Sequence, residues 1–323
     1  MYRYRPFRNT DPPYLADIWC RQKPQRGMVH PISVSQFETH VFSKPYFDPR
    51  GLIVATRDDV PVGFVHAGFG PNDDESWIAT EMGVVCRVMV HEAAASQSSP
   101  GTLAGELIAR GEQYLRDRGA RLLYAGGIRP LCPFYWGLYG GSELPGILDS
   151  DSWMQAVYRD ACYEEIDQVL VLHRDLTTFR PIISRQQLAI RRSTQIAVQN
   201  DPPVRSWWQA VTEGSADRMR LQIVSNRSTS VLASTTFWNI EPLATSWGIS
   251  AAGILDLEST ESSRRQGYAT FLLSEAFRRL RSEGVRLIEV QTMRHNEAAR
   301  ALYRRLGFVE VDRGAVLRKR GGS

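Results

Sequence analysis

The sequence has 323 residues, 43% of them hydrophobic and 23% charged, which is globular composition with room for two domains of ordinary size. A net charge of +4, from 39 basic and 35 acidic residues, leaves no electrostatic footprint for nucleic acid. No run of 18 apolar residues points to a membrane span, and the opening Met1-Tyr2-Arg3-Tyr4-Arg5-Pro6 lacks the apolar core of a signal peptide. Cys20, Cys86, Cys132 and Cys162 form no C-x-x-C pair, and the six histidines have no ligand spacing. The expectation is a reducing, cytoplasmic protein without a metal, with neither nucleic acid nor membrane as partner.

In chain order, residues 51–56, 60–68 and 83–90 read as strands, the first two joined at an Asp58-Asp59 turn. A helix with an apolar stripe follows Gly101 and stops at Gly119, and Arg121-Leu122-Leu123-Tyr124 enters the next strand. The Gly-rich run Gly137–Gly146 reads as an exposed turn, with a pocket wall or domain contact as the alternative. Val169–His173 closes the first half.

The second half repeats the pattern. Strands are expected over 220–225, 231–238 and 249–258, then a helix from Gly267 to the Gly284 turn, then a strand from Arg286. Two diverged copies of one α/β unit are therefore predicted, each a mixed, mostly antiparallel sheet flanked by helices. The boundaries expected are 1–175, a linker at 176–186, and 187–323. Trp207-Trp208 reads as core or interface.

The chemistry concentrates in Arg264-Arg265-Gln266-Gly267-Tyr268-Ala269-Thr270. A strand leading through a basic, Gly-containing turn into a helix N-terminus suits an anion, because the first amides have no helical acceptor and the dipole end is positive. Further on, Asn296 is a sound N-cap and Gly307 a sound C-terminal stop for a second helix. Asn296 and Tyr303 are nearly two turns apart and share a face of it.

Arg264-x-x-Gly267-x-Ala269 resembles the pyrophosphate-binding motif of the GNAT acetyltransferase superfamily, and Asn296-x-x-Ala299-x-x-x-Tyr303-x-x-x-Gly307-Phe308 resembles its pantetheine-side helix. The tandem arrangement also resembles mycothiol synthase. The resemblance implies two tandem GNAT-like domains, acetyl-CoA (coenzyme A) as co-substrate, and direct acetyl transfer to a primary amine. It places the cofactor on Arg264, Arg265, Gln266, Gly267, Tyr268, Ala269, Thr270 and Asn296, and makes Tyr303 the general acid that protonates the departing thiolate.

The attacking amine must lose a proton first. Along 249–258, alternation puts Leu255 and Leu257 on the side of Ile249 and Ala251, and Asp256 and Glu258 on the other. Asp256 and Glu258 are the candidate bases, with Glu258 preferred. The first copy departs from the motif: its turn reads Ser98-Ser99-Pro100-Gly101-Thr102-Leu103, and its counterpart of Tyr303 is Tyr135, with no Asn before it. The first copy is thus expected to keep the fold while binding the cofactor poorly or not at all, with catalysis in the second half. The acceptor is a small-molecule or peptide amine, and the chain a monomer or homodimer. Rival readings are a non-catalytic CoA-binding regulator and an aminoacyl-tRNA-dependent transferase on a doubled GNAT-like fold.

Overall fold

The computed structural model describes residues 2–91, 100–131 and 133–321. The first half contributes β1 (Arg3–Pro6), α1 (Pro12–Cys20), α2 (Val34–Phe37), β2 (Leu52–Arg57), β3 (Val60–Pro71) and β4 (Ile78–Val90). It continues with α3 (Pro100–Asp117), β5 (Leu122–Ala125), β6 (Ile147–Leu148), α4 (Ser152–Asp160) and β7 (Tyr163–Asp175). The second half supplies α5 (Arg185–Ser193), β8 (Thr194–Asn200), α6 (Trp207–Glu213), β9 (Arg218–Ser225), β10 (Val231–Asn239) and α7 (Glu241–Trp247). Then come β11 (Ala251–Ser259), α8 (Tyr268–Ser282), β12 (Leu287–Met293), α9 (Glu297–Arg305) and β13 (Val309–Lys319).

The repeat seen in the sequence is repeated in space. In each half a long antiparallel ladder ends in a strand that pairs in parallel with the strand after the helix: β4 with β5, and β11 with β12. The crossover helices α3 and α8 are each followed by a glycine with positive φ, Gly119 at 102° and Gly284 at 93°, where a side chain would be strained.

All the strands join one sheet, and the seam is an exchange. The order is β1-β2-β3-β4-β5-β13-β7-β12-β11-β10-β9-β8, with β6 beside β13. The closing strand of the chain, β13, pairs with β5 of the first half, while β7 pairs with β12 of the second. Each half thus completes its sheet with the other's last strand, and β13 and β7 pair with each other along nearly their whole length. Residues of both halves accordingly mix in one core: Val171, Trp238, Ile240, Leu243 and Leu255 pack with Trp19, Phe37, Tyr135 and Leu144. A second core lies under α3 and takes in Ala315 and Leu317 of β13; a third lies under α8 and α9.

Candidate functional site

β11 and β12 are paired only from Ala251↔Leu287 to Ile254↔Val290. Beyond that point the two parallel strands diverge and leave a mouth lined with backbone groups that the ladder no longer uses. At the same level β11 carries a bulge, since its register on β10 passes from Thr236↔Asp256 to Phe237↔Ile254 and leaves Leu255 over. The bulge breaks strand alternation. Leu255 packs into the core shared by the halves, whereas Ile254 and Leu257 pack into the core under α8. The expected common side for Leu255 and Leu257 is therefore wrong: one extra residue turns one of the two over.

The turn before α8 has the form an anion site needs. Arg265 at φ 58° and Gly267 at φ 83° are left-handed, and Gly267 caps the helix with no side-chain acceptor. Arg264, Arg265 and Gln266 are exposed, Gly267, Tyr268 and Ala269 partly so, and Thr270 is buried. From behind, Gln186 Nε2 donates to the Gln266 carbonyl at 3.0 Å and Gln187 Nε2 to the Gly267 carbonyl at 3.3 Å. α5 thus fixes the carbonyls of the turn, and the amides of the first helical turn have no intrahelical acceptor.

Asn296 caps α9, its Oδ1 accepting the Ala299 N–H at 3.1 Å, so its amide group is left exposed and available. Tyr303 is only 5% exposed, its ring centroid 5.3 Å from that of Phe308. The expected common face thus runs from an exposed cap to a buried phenol. Burial pushes the phenol well above its ordinary value and the nearby Glu143 carboxylate pushes it further, so it holds its proton at neutral pH.

The two candidate bases separate in their surroundings. Glu258 is more than half exposed and paired with Arg205 at 2.9 Å. Asp256 is half-buried, 3.5 Å from Arg129. Arg129 also contacts Glu143 at 3.3 Å and Glu213 at 3.0 Å, so one guanidinium holds three carboxylates from three separate segments. Arg129, Glu213 and Asp256 line a cleft of about 350 Å³ between the halves, together with Glu75, Arg205 and Trp208, while Glu143 lies in a smaller pocket with Arg129 and Glu213. Trp207 packs at a tilt against Trp77 and Trp208 against Tyr46, both centroid pairs 4.8 Å apart, an interface role for these tryptophans.

Sequence reasoning missed Glu143 as a member of the site. The Gly-rich loop that carries it is not an exposed turn: Gly140, Gly141 and Ser142 are buried in the seam. The Ser142 N–H donates to Glu289 Oε1 at 2.6 Å, and its carbonyl accepts from the indoles of Trp136 (3.0 Å) and Trp238 (3.1 Å). Gln291 Nε2 donates to the Glu143 carbonyl at 2.9 Å. Glu289 is fully buried; burial works to raise its carboxyl, but the His173 hydrogen bond at 2.8 Å, Arg26 and the Ser142 amide outweigh it and hold it below the ordinary value. Burial also acts on Glu143, aided by Asp256 and Glu213 and opposed by Arg129, and pushes its carboxyl up to about 7. The trace in the sequence is the density of glycine: Gly137, Gly140, Gly141 and Gly146 all have positive φ.

The first half has the same parting of strands and the same bulge, here at Cys86, but the space is filled. Tyr158 Oη donates to the Val85 carbonyl at 3.0 Å. Arg87 is buried over the ring of Tyr139, 3.6 Å from its centroid, and paired with Asp151 at 3.3 Å. Tyr135, matched to Tyr303 by the repeat, sits in a turn at φ 68° rather than on a helix, its hydroxyl 3.1 Å from His66 Nδ1. Ser98 and Ser99 of the corresponding turn lie outside the described residues. Among the described residues no group of three or more His, Cys, Asp or Glu is placed to hold a metal ion, and no helix is long and apolar enough to cross a membrane.

Residues 200–308 match the model of the Acetyltransferase (GNAT) family. By sequence, no curated protein matches the chain. Among solved structures, 98% of the chain superposes with TM-score 0.69 and 15% identity on a GCN5-related glucosamine N-acetyltransferase region of a fungal multi-domain β-N-acetylglucosaminidase. It spans 38% of that longer chain. A tandem GNAT protein from the clavulanic acid biosynthesis pathway matches over the full length of both chains, with TM-score 0.65 and 12% identity. A GCN5-related N-acetyltransferase from Sphaerobacter thermophilus matches over 100% of this chain and 97% of its own, with TM-score 0.63 and 16% identity. At these identities the likeness is one of fold, and the family match supports N-acetyltransferase activity in general terms.

Proposed function

Since the chain is a tandem GNAT-fold protein with a GNAT acetyltransferase domain in its C-terminal half, we propose that this half transfers an acetyl group directly from acetyl-CoA to a primary amine. The observation that carries the reading is a coincidence of three features. The strands part beyond Ile254 and Val290, a left-handed Gly267 opens a helix N-terminus beside them, and a protonated, buried Tyr303 lies on the helix that follows β12.

In this reading the amides of Gly267–Thr270 hold the pyrophosphate, with Arg264, Arg265 and Gln266 as exposed polar flanks. The exposed amide group of Asn296 meets the pantetheine arm. A backbone N–H of β11 near the Leu255 bulge stabilises the oxyanion of the tetrahedral intermediate. Tyr303 gives its proton to the CoA thiolate as the carbon–sulfur bond breaks. Asp256, inside the cleft, and Glu258, at its rim with Arg205, attract the cationic amine and are the strand's own candidates for taking its proton.

We divide the chain into 1–175, a linker at 176–186, and 187–323, with the last strands exchanged. The filled first-half cleft supports a single cofactor site per chain. Glucosamine, named for one structural neighbour, is the first acceptor to try, ahead of peptide amines.

Calorimetric titration of acetyl-CoA into the wild type and Gly267→Asp tests the reading. Binding near one site per chain that is lost in the variant supports it. Two sites would bring the first half back as a cofactor domain, and no binding would overturn the reading.

A further inference from the structure

We propose that the proton acceptor for the attacking amine is Glu143, a residue of the first half that the exchanged sheet delivers to the mouth of the second-half site. The inference rests on the acetyltransferase reading above and gives Glu143 the proton-accepting role for which Asp256 and Glu258 are β11's own candidates.

Position comes first. Glu143 shares a small inner pocket with Leu255, the bulge residue where the strands part, and with Arg129, Trp136, Thr212 and Glu213. Arg129, Thr212 and Glu213 also line the outer cleft, so the two spaces share a wall. Glu143 is near enough to Tyr303 to act on its phenol. In the acetyltransferase reading, a base beside the Leu255 bulge stands near the proposed oxyanion site on β11. Glu258, by contrast, is more than half exposed, at the rim.

Rigidity comes second. The loop is held on both sides of the carboxylate: Ser142 by Glu289, Trp136 and Trp238, and the Glu143 carbonyl by Gln291. Groups so anchored meet the positional demand of proton transfer. The side chain is still 21% exposed, so the carboxyl is not sealed from solvent.

Charge comes third. Arg129 faces Glu143 and lowers its carboxyl, while Asp256 of β11 and Glu213 of α6 raise it; the Glu143 charge in turn raises the phenol of Tyr303 on α9. The balance, dominated by burial, lies near neutral, the most effective range for a general base.

The ammonium gives one proton to the Glu143 carboxylate, and the free amine attacks the thioester carbon. The carbon–sulfur bond breaks, and the thiolate takes the Tyr303 proton. The protonated amide nitrogen then returns a proton to the Tyr303 phenolate, and Glu143 releases its own to solvent.

The test uses the full chain with acetyl-CoA and follows thiol release, with water alone and with glucosamine as nucleophiles. Glu143→Gln should bind acetyl-CoA as wild type does but release thiol about 100-fold more slowly, and it should lose the rise in rate through pH 7. Glu143→Asp, with a shorter reach, should recover part of the rate and keep the pH dependence. Carboxyl ¹³C NMR, assigned by the loss of one signal in Glu143→Gln, should show that carboxyl titrating near 7. Wild-type rate and pH profile in Glu143→Gln, or a Glu143 signal titrating with ordinary glutamates, would overturn the inference while leaving the acetyltransferase reading intact. Failure of the wild type to bind acetyl-CoA would remove both.

Discussion

Gly141 lies against Glu289 so closely that a Cβ on it would stand 1.7 Å from the Glu289 Oε1 atom. The φ of Gly141 is 131°, so a side chain is excluded twice, by the carboxylate in front and by the backbone itself. This contact seats the first-half loop on β12 of the second half. Gly141→Ala should lower stability by about 2 kcal/mol or more, since it forces strain and breaks hydrogen bonds to a buried carboxylate. Urea unfolding of the variant checks this; an unchanged midpoint would mean the loop can seat in another way.

Gly267→Ala separates shape from charge at the proposed cofactor turn. The φ of 83° disfavours any side chain, and the new methyl would stand 3.0 Å from Gln186 Cδ, which is the movable end of a side chain. The expected loss of acetyl-CoA affinity is about tenfold, the equivalent of roughly 1.4 kcal/mol. Gly267→Asp adds a negative charge beside the pyrophosphate and should lose more. Equal affinity in all three proteins would remove the turn from the site.

Tyr303→Phe keeps the ring that packs against Phe308 and removes the phenolic proton. Turnover should fall by about 10² to 10⁴ with acetyl-CoA affinity preserved, as for a lost general acid. A variant with wild-type turnover would show that the thiolate is protonated from elsewhere.

His66 sets an acid limit on the fold. It is fully buried, and burial lowers its imidazole to about 3. Between its ordinary value of 6.5 and about 3, the unfolded chain binds a proton that the folded one refuses. Stability from this group is therefore complete above 6.5 and lost as pH falls towards 3. His66→Gln should reduce the acid slope of stability by up to about 1.4 kcal/mol per pH unit in that window. Urea titrations at pH 4 to 7 give the slope, and parallel slopes in variant and wild type would count against the assignment.

What the sequence determined was local. Gly101 and Gly267 head matching helices, Gly119 and Gly284 end them, and the strands they join fell within a few residues of those observed. Asn296 and Gly307 bound α9 because caps and stops are written in the residues beside them. The long-range features follow from packing between distant segments. The exchange of β7 and β13 depends on which partner strand offers the better buried pairing, a comparison between segments over a hundred residues apart. The bulge at Leu255 depends on the register of β10 and β11 together, so alternation counted along one strand misplaced that side chain. Glu143 illustrates the same limit: a glutamate among glycines reads as a turn residue. Glu289, Gln291 and two indoles, all remote or pointing inward, turn it into an anchored carboxyl near neutral pKa. Many of the hydrogen bonds at that site come from the second half, from Glu289, Gln291 and Trp238, and no local pattern of residues records them.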